Sequence, residues 1–257
     1  MLLAVDIGNS NVTLGIFNND ELVFTSRIAT DVRRMPDEYG LMIGQVFQLK
    51  GVNPEDITEI CMCSVVPPLT SVLDQACRDY FSLDPFIVEP GVKTGVKLDV
   101  DNPKEVGADR VADAVAVLRL YGSPAILVDF GTATVFDAIS REGSYLGGAI
   151  ALGIAQAAEA LFINTAQLRK VELVAPKNPI GRNTVTNIQS GLVFGYTELV
   201  EGMVQRFKKE LGNDAVVVGT GGLVSLIDAQ SEVFDQVNPY ITLIGLRLIK
   251  EINRKDH

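Results

Sequence analysis

Two short turns carry the residues that could do chemistry. In Leu2-Leu3-Ala4-Val5-Asp6-Ile7-Gly8-Asn9-Ser10-Asn11 an apolar run ends in a carboxylate, followed by a glycine and then by amide and hydroxyl side chains. Ile126-Leu127-Val128-Asp129-Phe130-Gly131-Thr132-Ala133-Thr134 repeats the pattern. Setting Asp6 on Asp129 is an offset of 123 residues (129 − 6), and it also sets Val5 on Val128, Gly8 on Gly131 and Val12 on Val135. Glycine lets the main chain approach a ligand closely. Asn9, Ser10, Asn11 and Thr132 can donate hydrogen bonds to phosphate oxygens, and the aspartates can hold a cation. The same residue types make ordinary hairpin turns, but the second aligned copy tips the reading toward a phosphate clamp used twice.

Composition narrows the chemistry further. The single histidine is His257, so a Ser-His-Asp triad, a Cys-His dyad or a histidine-ligated metal is hard to build, and proton transfer must rely on carboxylates. Cys61, Cys63 and Cys77 offer neither a disulfide framework nor a Cys-x-x-Cys zinc pair, and they read as core residues in a reducing cytoplasm. A net charge of −10 repels nucleic acid and acidic membrane surfaces, so any anionic ligand must be held locally. Apolar residues reach 47% without a run of membrane-spanning length, and no basic segment precedes the N-terminal hydrophobic stretch, which predicts a soluble, unexported protein.

Sheets must hold the two turns. Val12 to Phe17 and Leu22 to Ile28 predict strands on either side of a turn at Asn18-Asn19-Asp20, making an antiparallel meander with the first strand. From Pro36, helical spacing puts Met42, Ile43, Val46 and Leu49 on one face, and Gly51 stops the helix. Ile57 to Val65 reads as a strand, Pro67-Pro68 opens a helix carrying Leu69, Val72, Leu73 and Ala76, and Pro85 to Val88 is a short strand. Gly91 to Lys97 is a loop whose lysines could meet phosphate. Asn102-Pro103-Lys104-Glu105 has the residues of a helix start, with Gly107 a break near the first turn and Val111, Val115 and Leu118 on the buried face.

The second half repeats this order. Strands are expected at Ala125 to Asp129, Val135 to Ile139 and Tyr145 to Ala151, with a turn at Arg141-Glu142-Gly143 and close backbone approach at Gly147, Gly148 and Gly153. Ile188, Leu192, Gly195, Leu199, Met203, Phe207 and Leu211 describe a long helix from Thr186 that ends at Gly212. The strand Val216-Val217-Val218 turns at Gly219-Thr220-Gly221-Gly222 into another helix, a turn that suits either an adenosine edge or a tight strand-to-helix connection. A boundary at Leu120 to Pro124 divides the chain into two α/β domains, 1–122 and 123–257.

Two Asp-x-Gly hairpins opening two α/β halves, with a third Gly-Gly turn near the C-terminus, resemble the actin-like ATPase and sugar-kinase superfold. That resemblance implies a duplicated ribonuclease H-like fold with mixed sheets and nucleotide between the halves. Within the superfold the chain resembles the type III pantothenate kinases. The residues concerned are Asp6-Ile7-Gly8-Asn9-Ser10-Asn11, Asp101-Asn102-Pro103-Lys104-Glu105-Val106-Gly107-Ala108-Asp109-Arg110, Asp129-Phe130-Gly131-Thr132-Ala133-Thr134 and Asn183-Thr184. The Asp-x-Gly turns select only the superfold; the Asn-Pro…Gly-Ala-Asp-Arg stretch carries the family resemblance.

The resemblance implies that Asp6, Ile7, Gly8, Asn9, Ser10, Asn11, Val12, Thr13 and Thr132 contact ATP, and that Gly107, Ala108, Asp109, Arg110 and Thr184 contact pantothenate. It also implies that Asp109 accepts the proton, that Asp129 and Asp6 serve metal binding with K⁺ or NH₄⁺ at Asp129 and Mg²⁺ on the phosphates, and that the protein is a cytoplasmic homodimer. Ser10 stands where threonine is common, and Val100 where many members place a tyrosine beside the substrate. On residue types alone, Asp109 and Asp113, one turn apart, equally describe a solvated helix face with Arg110. The chemistry agrees with a kinase, because phosphoryl transfer chiefly needs positioning, charge neutralisation and a carboxylate to receive a hydroxyl proton. The alternatives are a catalytically weak regulatory accessory protein of the same family, and an exopolyphosphatase or sugar kinase of the same superfold.

Overall fold

The computed structural model describes residues 1–165 and 167–254, so His257 lies outside the described residues. Along the chain run β1 (Leu2–Ile7), β2 (Asn11–Asn18), β3 (Glu21–Ala29), α1 (Pro36–Lys50), β4 (Glu59–Ser64), α2 (Pro67–Phe81), β5 (Phe86–Ile87) and α3 (Ala108–Tyr121). There follow β6 (Ala125–Phe130), β7 (Ala133–Ile139), β8 (Tyr145–Leu152), α4 (Ile154–Ile163), α5 (Thr184–Leu211), β9 (Val216–Thr220), α6 (Val224–Asp228), β10 (Gln236–Val237) and α7 (Ile241–Ile252). Two compact units result. The first takes residues Met1–Gly95, Asn102–Ala116 and those from Thr242 on; the second takes Val96–Asp101 and Val117–Ile241.

The two sheets have one topology. Their strand orders are β3-β2-β1-β4-β5 and β8-β7-β6-β9-β10. In each, a meander of antiparallel strands is followed by a parallel strand reached through a crossover, as a mixed sheet requires. The repeat expected from the sequence is therefore a repeat of architecture, but its alignment slips by one after the turn. Ile7 pairs with Val12 in the first hairpin, whereas Phe130, the counterpart of Ile7, pairs with Thr134 rather than Val135. The second turn is one residue shorter, closed by Gly131 N–H donating to Ala133 O, where the first is closed by Gly8 N–H donating to Asn11 O.

Alternation along β1 assigns its two faces. Leu3, Val5 and Ile7 join one cluster with Tyr39, Ile43 and Phe47 of α1 and Leu69, Leu73 and Cys77 of α2. Leu2, Ala4 and Asp6 share the opposite face. Helix α7 covers that opposite side of the sheet, with Leu243 packed over Gly15 of β2. In the second unit Ile126, Val128 and Phe130 pack with Leu192, Val200 and Val204 of α5 and with Val224 and Ile227 of α6.

Several expectations need correction. The buried face of α1 is Tyr39, Gly40, Ile43 and Phe47, while Leu49 is 85% exposed, because Tyr39, Ile43 and Phe47, successive at four-residue spacing and with two large rings, take the side that docks on the sheet. Asn102-Pro103-Lys104-Glu105 forms only a 3-10 turn over Pro103–Glu105; α3 starts at Ala108, after the glycine expected to break it. The residues Val111 to Val117 of α3 are buried without interruption, so a one-sided amphipathic reading is too narrow, and Asp113, 3% exposed, is no solvated position. Helix α5 begins at Thr184, two residues earlier than its apolar spacing suggested, because Asn183 accepts from Thr186 N–H as a cap. Helices α4 and α7 and strand β10 had no sequence expectation at all. Among the described residues no helix is long and apolar enough to cross a membrane.

Gly245 of α7 meets Ala112 of α3 backbone to backbone; a Cβ there would overlap the Ala112 carbonyl. Gly245→Ala should therefore force the two helices apart and lower stability by about 1–3 kcal/mol, as overpacking does, measured by urea denaturation. Unchanged stability would mean that this crossing is slack.

Candidate functional site

In the first unit the sequence brings one carboxylate to the end of β1 and another to the start of α3. Asp6 sits on β1 between Thr13 of β2 and Cys63 of β4, its in-register partners. Thr30 braces the turn that follows: its hydroxyl donates to Gly8 O at 2.7 Å and its N–H to Ser10 O at 3.1 Å. Asn9, Ser10 and Asn11 are exposed at the turn. Ile7 and Val12 are completely buried and could touch a ligand only through their backbone.

At the head of α3, Arg110 N–H donates to Asp109 Oδ1 at 2.8 Å, which folds the carboxylate over the positive end of the helix. Gly107 leaves room for this, since a Cβ there would strike Asp109 Oδ1. Burial raises the Asp109 pKa, against the lowering effect of the Arg110 amide and charge. Asp6 is pushed up to about 7, by burial first and then by repulsion from Asp109, with a small opposing effect from a Cys63 hydrogen bond. Asp6, Gly107, Ala108, Asp109 and Arg110 are thus brought into one unit, and the first two carboxylates feel each other directly.

The second unit holds the other group. Asp129 ends β6 in register with Thr220 of β9. The backbone at Gly221, φ +91°, lies against Asp129 and Phe130, where any Cβ would collide. This favours the tight-connection reading of the glycine turn: glycine is needed there for close approach, and α6 after it has only five residues. Near Thr132, three oxygens converge where a Cβ of Gly153 would sit: the Thr132 carbonyl, the Gly131 carbonyl and Gln156 Oε1. Gln156 Oε1 is buried and has no hydrogen-bond partner among the described residues. Thr184 is the first residue of α5 and is exposed. Val100 packs 3.5 Å from the Cβ position of Gly147, whose φ is +94°.

Sequence reasoning missed Thr30, Cys63 and Gln156. The parallel pairing of β1 with β4 has no local signature, so nothing near Cys63 marked it as a neighbour of Asp6. Gly153 was marked as a close approach, and that was the one available pointer to Gln156. Among the described residues no group of three or more His, Cys, Asp or Glu could hold a metal ion by itself. A cation here would need ligand phosphates, carbonyls or amide oxygens to complete its shell.

Comparison with known proteins adds the following. The family profile described as type III pantothenate kinase matches residues 2–206. A type III pantothenate kinase from Moorella thermoacetica is 49% identical over 253 residues, covering 98% of this chain and all of the relative. Among solved structures, a Campylobacter jejuni protein assigned to the Baf family of transcriptional activators superposes with a TM-score of 0.60 at 19% identity, covering 98% of both chains. The activator of the 2-hydroxyisocaproyl-CoA dehydratase from Clostridium difficile, solved with ADPNP, superposes with a TM-score of 0.54 at 14% identity, covering 100% of this chain and 98% of the other. At such identities these two likenesses show the fold alone, the duplicated α/β fold of actin-like ATPases and sugar kinases.

The raised pKa of Asp6 sets a pH signature in the ligand-free protein. The folded chain holds this proton more tightly than the unfolded chain, whose carboxyl titrates near the ordinary 3.8. Its stabilising contribution is therefore complete below the unfolded value and lost as pH rises through about 7. Thermal denaturation between about pH 5 and about pH 8 should show Tm falling with rising pH, and Asp6→Asn should flatten the slope. An identical slope in the variant would remove Asp6 as its source.

Proposed function

We infer, since the chain belongs to the type III pantothenate kinase family, that it transfers the γ-phosphoryl group of ATP to pantothenate, giving 4′-phosphopantothenate and ADP in the first step of coenzyme A biosynthesis. The observation that supports the residue assignment best is the pairing of Asp6 with Asp109 in one unit. In this reading Asp109 orients the pantothenate hydroxyl and receives its proton as the new oxygen–phosphorus bond forms and the bond to the ADP oxygen breaks. A carboxylate whose pKa is raised by burial is a better proton acceptor than a solvated one. Arg110 pairs with the pantothenate carboxylate, and Gly107, Ala108 and Thr184 complete the substrate contacts. The turn from Asp6 to Thr13, together with Thr132, holds the ATP phosphates.

Mg²⁺, when bound, neutralises charge on the transferring phosphoryl group. Asp6 is the residue to hold it, and one carboxylate plus substrate phosphates is the usual Mg²⁺ arrangement, so the residues fit. A monovalent cation, K⁺ or NH₄⁺, fits the second turn. The Asp129 carboxylate is the charged group assigned to it, and the carbonyls of Gly131 and Thr132 with Gln156 Oε1, which gather at Gly153 beside the same turn, are the neutral oxygens that could complete its shell. A homodimer in the cytoplasm belongs to the same reading: a Cβ at Gly191, Gly195 or Gly202 would meet nothing within 4 Å, which leaves that face of α5 open to a second copy.

Release of ADP should be seen with pantothenate and not with sugars or polyphosphate; turnover on sugars alone would overturn the substrate assignment. Asp109→Asn should lower kcat by about 10²- to 10⁴-fold while ATP affinity changes little. Near-normal turnover would take Asp109 out of the mechanism. Activity should rise with K⁺ or NH₄⁺ over Na⁺, Asp129→Ala should abolish that response, and Gln156→Ala should raise the half-saturating K⁺ concentration. Indifference to the monovalent ion would leave Asp129 a structural role.

A further inference from the structure

Cys63 lies outside every role assigned so far, yet it is fully buried in β4 with its Sγ donating to Asp6 Oδ1 at 3.5 Å. Parallel pairing puts Cys63 level with Asp6, on the same face of the sheet. The duplicated fold repeats the arrangement: Thr220 of β9, 2% exposed, stands level with Asp129 on β6. At both turns the strand parallel to the carboxylate-bearing strand thus contributes a small side chain with a donor hydrogen, one a thiol and the other a hydroxyl. The two preceding places are Cys61 and Met62 in one strand and Val218 and Gly219 in the other, Cys61 serving as a small hydrophobe where the second strand has a valine.

We propose that Cys63 is a positioning residue for phosphoryl transfer: its thiol fixes the rotamer of Asp6 so that the carboxylate meets the ATP-bound cation. The inference rests on the reading of Asp6 given above. Rotation of a carboxylate at the end of a strand is otherwise free about two bonds, and a buried donor on the adjoining strand selects one setting. Thr13, across the other edge of Asp6, is half-buried and faces the same side.

A purely structural cysteine and a positioning cysteine predict opposite orders for two variants. Burying a serine hydroxyl costs more than burying an alanine methyl, so a packing role makes Cys63→Ser no better than Cys63→Ala in stability or turnover. A positioning role makes Ser, which keeps the donor, the better enzyme although it is no more stable. Steady-state kinetics should show Cys63→Ala losing about 10-fold in kcat, with a raised half-saturating Mg²⁺ concentration and an unchanged KM for pantothenate. Cys63→Ser should stay within about 3-fold of the parent. Turnover that follows Tm across the variants, or equal activity in Ala and Ser, overturns the proposal. Should Ala fold poorly, Cys63→Thr and Cys63→Val, nearly equal in shape, repeat the comparison with the same expectation for donor and non-donor. Asp6→Asn separates the two levels of argument. If it is inactive while all Cys63 variants are active, Asp6 is essential and Cys63 does not position it; if it is fully active, the reading of Asp6 fails and the inference with it.

Discussion

Repulsion between two half-buried carboxylates is the constraint around which the first unit is built. Asp6 and Asp109 are both raised by burial, and the charge of Asp109 raises Asp6 further. Without compensation two such charges in a low-dielectric site would be expelled or neutralised. The compensation comes from a helix N-terminus under Asp109, the Arg110 amide and guanidinium beside it, and a thiol donor on Asp6. What is left uncompensated is the affinity for positive charge. A positive charge placed between the two carboxylates would lower their repulsion.

The second unit uses the same frame for a different balance. Near its turn the carbonyls of Gly131 and Thr132 and the amide oxygen of Gln156 gather around Gly153. Shortening the turn by one residue brings the Gly131 amide onto Ala133 and draws the chain tighter than in the first hairpin. The same architecture thus carries two strand ends with a carboxylate, and they differ in the length of the turn that follows and in what packs beside it.

How much of this could be read in the sequence depended on whether the signal was local. The hairpins were legible because alternation, turn residues and the Asp-x-Gly pattern all lie within ten residues. The Gly-Ala-Asp-Arg stretch carried the family resemblance, although the helix start was placed too early because Pro103 and Glu105 mimic a capped first turn that ends as a 3-10 turn. Leu49 was assigned to the core because periodicity counts apolar residues without weighing Tyr39 and Phe47, whose larger surfaces decide which face docks. Cys63 beside Asp6, Gln156 beside Thr132 and α7 over β2 depend on contacts between residues distant in the chain. No window of sequence contains them.

Helix α7 has a consequence for how the chain is made. It covers the face of β2 at Gly15 and locks against Ala112, but it is synthesised after the whole of β6 to β10. The meander that begins the protein therefore emerges from the ribosome with one face of its sheet bare and must wait for more than half the chain before that face closes. The second unit is nearly continuous in sequence, needing only the segment Val96–Asp101 from outside it, and has all of its strands in hand earlier than the first has all of its helices. N-terminal units usually fold first, but here the unit that is opened first receives its final helix after the second unit has all its strands. Asp6 and Asp109 are translated well before α7, the helix that closes the sheet face behind β1.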